Sequence, residues 1–373
     1  MRGILVQSLV SRGIPFEVAR RTATSVRDEL LERGEVEAGE VSKLVAELLP
    51  DGYSLEAALR RAIEEPPTVR SGSGSAPFSK GILAVSLEGS GLDRSDAFEV
   101  ALQVEARLFE DGRDEIERGD LRRTVVRTIE AAYGASAATR YRVWRAADAD
   151  PRPLFLLVGG PTGVGKTSIS VEVARRLEIA HVIGTDSIRQ IMRLMFSQDL
   201  MPEIYGSSFD AHLGLPAPEP QSDVISGMLG QARKIAVGVH ALLDRALEEN
   251  TSLIVEGASL VPGTLDLDRY QSSAHVIFLT VGMIEAEGLR RRFETRAAKA
   301  RDRSAERYRN HLAEILEIQE YVMAEADQHG LPIIDNVHFD DAVLSVIRSV
   351  ISTLKKSIQL PVEETEGPRD FAE

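Results

Sequence analysis

The apolar positions divide the chain in two near residue 150. Beyond it, short apolar runs alternate with longer segments of helical period. Leu154–Val158, His181–Ile183, Ser252–Val255, His275–Val281 and Pro332–Ile334 have strand length and strand composition, and a last helix is predicted near Asp340–Leu354. This alternation predicts an α/β domain with a parallel sheet. Before residue 150 the period is almost wholly helical, and it repeats. Gly3-Ile-Leu-Val-Gln-Ser-Leu9 matches Gly81-Ile-Leu-Ala-Val-Ser-Leu87 at an offset of 78 residues, which also carries Gly13 onto Gly91, Val26 onto Val104, Leu30 onto Leu108 and Gly34 onto Gly112. After a short insertion Val36 falls on Ile116, Gly39 on Gly119 and Val41 on Leu121. Matched glycines between matched helices predict a duplicated helical unit. Thr68–Ala76, rich in Ser and Gly, separates the copies as a linker or a short hairpin. The expected organisation is two helical copies over 1–67 and 68–150, an α/β domain over 151–358, and an acidic, aperiodic tail over 359–373 predicted to be disordered.

The first α/β strand runs into a glycine loop and then a helix. Gly160, four intervening residues, Gly165, Lys166 and Thr167 satisfy G-x-x-x-x-G-K-[ST]. Glycines let successive backbone N–H groups curl around phosphate oxygens, and the helix N-terminus adds partial positive charge. The cradle therefore comprises Gly160, Pro161, Thr162, Gly163, Val164, Gly165, Lys166, Thr167 and Ser168. Lys166 is expected on the β and γ phosphates of a nucleoside triphosphate and the Thr167 hydroxyl on Mg²⁺. ATP and Mg²⁺ are thus the expected cofactors of a P-loop NTPase domain.

In a parallel sheet, ligands bind beyond the carboxyl ends of the strands. After the second strand comes Gly184-Thr-Asp-Ser-Ile-Arg189. Asp186 is placed to accept or orient the proton of an incoming hydroxyl, with a helix N-cap as its other role. Arg189 and Arg193, four residues apart on one helix face, suit an anionic substrate, although a surface ion pair fits Arg193 equally. After the third strand, Glu256 stands where an acidic residue lies near Mg²⁺, acting through water or polarising the substrate pocket. Past the fourth strand Leu289-Arg-Arg-Arg-Phe-Glu-Thr-Arg296 opens a basic helix. Arg292 and Arg296 are its candidates for neutralising a transferring phosphoryl group. Ser197–Ser222, rich in Pro and Gly, has the length of a lid or binding loop. His181 and His275 sit at strand starts, away from this edge, and are expected to be structural.

Composition narrows the class. There are no cysteines, so disulfides, thiolate metal sites and a cysteine nucleophile are excluded, and a cytoplasmic location is expected. No apolar run approaches the ~20 residues that span a bilayer, and the N-terminal Met1–Val10 stretch, interrupted by Gln7 and Ser8, reads as a helix and not a signal peptide. A formal charge of −14 argues against a broad nucleic-acid surface. It also requires that an anionic substrate meet a local cluster of Arg and Lys.

Two resemblances follow from these motifs. Pro77-Phe-Ser-Lys-Gly-Ile-Leu83, the helix through Ala97–Leu108 and Thr139-Arg-Tyr-Arg-Val-Trp-Arg145 resemble an ATP-cone, a small regulatory nucleotide-binding domain. Where such domains open with a basic strand, Val69-Arg-Ser-Gly-Ser-Gly-Ser75 stands here, so nucleotide binding by this region, with Arg70 and Lys80 as its candidate contacts, stays open beside a purely helical role. Gly159-Gly-Pro-Thr-Gly-Val-Gly-Lys-Thr-Ser168, Val182-Ile-Gly-Thr-Asp-Ser-Ile-Arg189, Ile254-Val-Glu-Gly-Ala-Ser-Leu-Val-Pro-Gly263 and Ile333-Ile-Asp-Asn336 resemble the 2-phosphoglycerate kinase family over roughly Pro77–Leu354. The family often carries a His in the Ala258-Ser259 stretch. The resemblance implies an ATP-cone-like helical region before a P-loop kinase domain, and transfer of phosphate from ATP to 2-phosphoglycerate to give 2,3-bisphosphoglycerate. A polyol or inositol phosphate as acceptor is the first alternative, and a non-catalytic ATP-sensing regulator the second. A small anionic substrate is the expected partner, with no nucleic acid and no membrane, and a homodimer is suggested by the cone-like helices.

Overall fold

The computed structural model describes residues 5–6, 9, 14, 16–33, 38–50, 66–72, 74–112, 114–214, 223–283, 288, 307–308 and 310–358. Two compact units divide between Arg142 and Val143. Among the described residues no helix is long and apolar enough to cross a membrane.

The first unit holds helices α1 (Phe16–Arg33), α2 (Ala38–Leu48), α3 (Lys80–Gly89), α4 (Arg94–Glu110) and α5 (Arg118–Ala147), the last continuing into the second unit. The 78-residue offset carries Phe16 onto Arg94, so α1 and α4 begin at matching positions. The Ser/Gly stretch is a hairpin of β1 (Thr68–Ser71) and β2 (Gly74–Pro77), and β1 also pairs in parallel with β3 (Glu115–Glu117). Val69 and Ile116 of this small sheet pack onto α3, α4 and α5. Helix α4 is buried on two sides. Ala97, Val100, Ala101, Val104 and Leu108 join the cluster of α3 and α5, whereas Leu102 and Ala106 join Val6, Leu9, Ala19, Ala23 and Val26 of the first repeat. The segments before and after the hairpin therefore meet on α4. Helix α5 breaks at Gly134, whose φ of 81° no helical residue adopts.

The second unit holds five parallel strands: β4 (Leu154–Gly159), β5 (His181–Gly184), β6 (Leu253–Glu256), β7 (His275–Gly282) and β8 (Ile333–Asp335). Their order is β5-β6-β4-β7-β8. All pairings are parallel, and each observed strand lies within one residue of its predicted bounds. Helices α6 (Lys166–Arg176), α7 (Thr185–Met195), α8 (Asp223–Glu248), α9 (Leu312–Gln328) and α10 (Phe339–Ser357) cover the sheet.

Both sheet faces are dry, which is why β4 reads as an unbroken apolar run. Its alternate residues point opposite ways. Leu154, Leu156 and Val158 enter the cluster of α6, α9 and α10, and Phe155 and Leu157 enter that of α7 and α8 with Ile188, Ile235, Val239 and Leu243. Val143 and Trp144 also pack in this unit, so the end of the Thr139–Arg145 run joins the α/β core. On the amino-terminal side of the sheet His275 is buried, with its Nδ1 3.2 Å from Ser357 Oγ, and burial pushes its pKa down. This is the structural role expected of it.

Between α7 and α8 lie two 3₁₀ turns, Pro202–Tyr205 and Ala211–Gly214. Their close packing on α8 depends on glycines of that helix. A Cβ at Gly227 would sit 2.3 Å from His212 N, and one at Gly230 would sit 3.3 Å from Glu203 Oε1. The Gly227 contact is against backbone, which cannot swing away.

Gly227→Ala tests this packing. In an exposed helix the change is favourable by about 1 kcal/mol. Here the clash is expected to reverse the sign and destabilise by about 1–3 kcal/mol, seen as a fall of several degrees in Tm. A Tm at or above wild type would show that the connection is free to shift.

Candidate active site

The carboxyl ends of the five strands form one edge, with Val158 and Gly184 both opposite Glu256 and Gly159 opposite Thr280. The phosphate loop leaves β4 through a narrow gap. A Cβ on Gly159 would stand 2.4 Å from the Leu260 carbonyl oxygen, and one on Gly160 2.0 Å from that of Val281. Only glycine passes between them. The loop ends at Gly165, the N-cap of α6, whose φ of 92° is left-handed and which offers no side-chain cap. The first amides of α6 are left for an anion.

Lys166 is 7% exposed, and its Nζ donates to the Pro161 carbonyl at 2.7 Å. Burial pulls its pKa down to about 8, against the opposing pull of the Glu256 and Asp186 carboxylates. Thr167 Oγ1 donates to Glu256 Oε1 at 2.8 Å. Glu256 is itself buried, and Gly184 makes room for it: a Cβ there would lie 3.1 Å from Glu256 Oε1. Thr167 and Glu256 are thus hard oxygen donors set side by side at this edge. Among the described residues no group of three His, Asp or Glu could hold a metal by protein ligands alone.

Helix α7 starts at Thr185 with Gly184 as its N-cap, so Asp186 lies in the first turn and does not occupy the cap position. Its side chain is 87% exposed, open to an incoming molecule. Arg189 pairs with it at 3.0 Å. The same guanidinium donates through Nη1 to the carbonyls of Gly206 at 3.0 Å and Ile204 at 3.4 Å. Arg193 lies 4.9 Å over the Tyr205 ring and reaches Gln190 Oε1 at 3.4 Å. Among the described residues no carboxylate pairs with it. Thr162 of the phosphate loop stands 3.5 Å from Ser208 Oγ, so the 197–214 connection reaches the phosphate cradle as well as the Arg189 mouth. Arg292 and Arg296 lie outside the described residues.

Three buried amides hold this edge, and the sequence motifs did not reveal their roles. Asn336, next after β8, donates through Nδ2 to the Val164 carbonyl at 2.6 Å and pins the phosphate loop. The rule that located Asp186 and Glu256, inspection of the residue after each strand, also points to it. Gln319 of α9 accepts from Met283 N at 3.0 Å and donates to Met283 O at 2.8 Å, just beyond β7. Gln231 of α8 donates to the carbonyls of Glu203 at 2.6 Å and Gly206 at 3.1 Å.

In the first unit, both candidate nucleotide contacts sit on carboxylates. Arg70 pairs with Glu115 at 3.1 Å, and Lys80 with Glu105 at 3.0 Å.

The chain is 35% identical to a 2-phosphoglycerate kinase of Pyrococcus furiosus over 291 residues, 78% of this chain and 94% of that protein. It is 36% identical to a 2-phosphoglycerate kinase of Methanocaldococcus jannaschii over 292 residues, 78% of this chain and 93% of that one. A third, from Methanococcus maripaludis, is 35% identical over 77% of this chain and 93% of its own. No protein-family model matches. The crystal structure of shikimate kinase from Bacteroides thetaiotaomicron aligns with a TM-score of 0.26 at 14% identity, over 55% of this chain and 97% of that one.

The lowered pKa of Lys166 gives a sign to the pH dependence of nucleotide binding. Triphosphate oxygens favour the ammonium, so a complex keeps a proton that the free protein loses above about pH 8. The Kd for ATP is expected to rise above that pH, approaching tenfold per unit, with proton uptake on binding. Calorimetry in buffers of different ionisation enthalpy reads the uptake. A Kd that stays flat from pH 7 to 9.5 would refute the assignment.

Proposed function

Because this chain belongs to the 2-phosphoglycerate kinase family, we propose that it transfers the γ-phosphoryl group of ATP to the free hydroxyl of 2-phosphoglycerate, giving ADP and 2,3-bisphosphoglycerate. The observation that carries this reading is the placing of two kinds of group at one strand edge. A phosphate cradle with a buried lysine adjoins an exposed carboxylate, Asp186, flanked by Arg189.

The acceptor is a primary hydroxyl beside a phosphate and a carboxylate. Arg189 and Arg193 supply positive charge for those anions in a chain whose net charge is −14. Asp186 orients the hydroxyl and takes up its proton as the acceptor oxygen bonds to the γ-phosphorus. The bond from that phosphorus to the β–γ bridging oxygen breaks, and ADP leaves. Lys166 and the amides at the start of α6 hold the triphosphate in line and draw off the charge that develops on the leaving oxygen. Thr167 and Glu256 suit Mg²⁺, which favours oxygen ligands from one carboxylate together with substrate phosphates. There it would offset negative charge on the triphosphate. Arg292 and Arg296 complete the proposal as cations for the transferring group. The cytoplasm is the compartment proposed for the reaction, on the absence of cysteine.

The test is incubation with ATP, Mg²⁺ and separately 2-phosphoglycerate, 3-phosphoglycerate, glycerate and inositol phosphates, with products read by mass spectrometry. A bisphosphoglycerate from 2-phosphoglycerate alone is expected. Transfer only to a polyol phosphate would replace the acceptor, and hydrolysis that no acceptor stimulates would leave an ATP-sensing regulator. Two variants probe the chemistry. Lys166→Ala is expected to abolish transfer. Asp186→Asn is expected to lower kcat by about 10²–10⁴-fold, the size of a general-base contribution, with ATP affinity nearly unchanged. Should Asp186→Asn change only the melting temperature, its role is structural.

A further inference from the structure

We propose that Gln231 is a positioning residue for the phosphoryl acceptor, acting through Arg189. The inference rests on the reading of Arg189 as an acceptor ligand.

Gln231 lies in the middle of α8, is 2% exposed, and connects three segments far apart in sequence. Both of its amide hydrogens are used within the Pro202–Gly206 turn, on the carbonyls of Glu203 and Gly206. Its carbonyl oxygen accepts from Ser259 Oγ at 3.4 Å, in the loop that follows Glu256. It is thus a strut between the loop after Glu256 and the turn that faces α7.

The same turn is what holds Arg189. The Gly206 carbonyl accepts from both Gln231 Nε2 and Arg189 Nη1, and Ile204 O takes a further Arg189 bond. These carbonyls fix one side of the guanidinium plane. Its other side, Nε and Nη2, is thereby turned to Asp186. Arginine recognises carboxylate and phosphate by a planar fork, so the plane's direction decides whether an anion is met by two bonds or one. A second hold on the turn comes from Lys234, one helical turn beyond Gln231, paired with the buried Glu203 carboxylate. The backbone at Gly206 is closely packed, since a Cβ would stand 2.7 Å from Asp210 Oδ1 and 3.0 Å from Asp210 O. The turn therefore has one tight arrangement, and Gln231 supplies the donors that fix its carbonyls.

Without those donors, the buried Glu203 carbonyl and the part-buried Gly206 carbonyl lose a partner, and the turn relaxes toward groups that can replace it. Arg189 loses its fixed seat, and the acceptor site loosens while the phosphate cradle, which Gln231 does not touch, stays intact. That split separates positioning from general damage.

The experiment uses the full chain. Gln231→Met keeps the volume and removes both donors. It is expected to raise KM for 2-phosphoglycerate about tenfold and to leave KM for ATP within twofold. Combined with Arg189→Lys, the effects are expected to be non-additive, as for residues acting through one contact. A crystal structure of Gln231→Met is expected to show the guanidinium displaced from Gly206 O. If that variant fails to fold, Gln231→Asn, which keeps an amide but withdraws it by one methylene, is expected to give the same KM split. An unchanged KM for 2-phosphoglycerate, equal rises in both KM values, or additive effects would overturn the proposal. If wild type ignores 2-phosphoglycerate, the kinase assignment fails instead. The position of Arg189 in the variant then decides the strut alone: retained on Gly206 O, it refutes it.

Discussion

The site depends on a steric constraint at the end of β4. Gly159 and Gly160 pass between the carbonyl oxygens of Leu260 and Val281 at distances no side chain tolerates. Those carbonyls belong to the segments that follow β6 and close β7, the strands on either side of β4. The loop is therefore gripped by both neighbours of the central strand. Once through the gap, the backbone turns at Gly165 and enters α6 with its first amides facing outward. A phosphate site made this way is set by the sheet, with the loop pinned once more where Asn336 holds Val164 O. It also explains why the flanking residues matter. The β4–β6 register that brings Val158 opposite Glu256 is the one that brings Thr167 into hydrogen-bond contact with that carboxylate.

Much of this edge was legible because its signals are local. The β4 run, the glycine spacing and the residues after β5 and β6 lie within windows of about fifteen residues, and strand ends in a parallel sheet converge on one side. That rule points to Asp186, Arg189 and Glu256. A capping role for Asp186 does not hold, because α7 is capped at Gly184, two residues before it. What stayed hidden are bonds between distant segments. Asn336 reaches a carbonyl 172 residues away, and Gln231 and Gln319 reach 28 and 36 residues. Neither hydrophobic period nor motif spacing reports such pairs. The shared core of the first unit was in part readable. The apolar positions of α4 extend around more than one stripe, and Phe98, Leu102 and Ala106 form an i, i+4, i+8 row beside the row used by its own repeat.

Charge explains how an acidic chain presents cations where anions must come. Many arginines and lysines described here are neutralised locally: Arg70 by Glu115, Lys80 by Glu105, Arg176 by Glu172. At the strand edge the pattern changes. Lys166 is tied to a neutral carbonyl, and Arg193 to an aromatic face and an amide. Arg189 has a carboxylate, but one that is almost wholly exposed and so weakly binding in water. On the proposed function, a phosphorylated ligand would meet cations whose existing partners are cheap to share.

The choice of amides for the supporting bonds follows from the same electrostatics. Asn336, Gln319 and Gln231 are each at most 6% exposed, and each satisfies backbone groups next to a segment of the site. A carboxylate in any of these places would add negative charge beside bound phosphates at short range. A lysine or arginine would compete with Lys166 and Arg189 for the same anions, and would need a buried counter-charge of its own. An amide donates and accepts without net charge, so it fixes backbone carbonyls and leaves the local potential to the groups that meet ligand. Gln319 shows the full use of this capacity, giving and taking one bond each with Met283. Asn336 spends only its donor, and its Oδ1 is buried without a partner among the described residues. Such an oxygen costs about 1–3 kcal/mol, whereas the donor on the same amide holds the Val164 carbonyl of the phosphate loop.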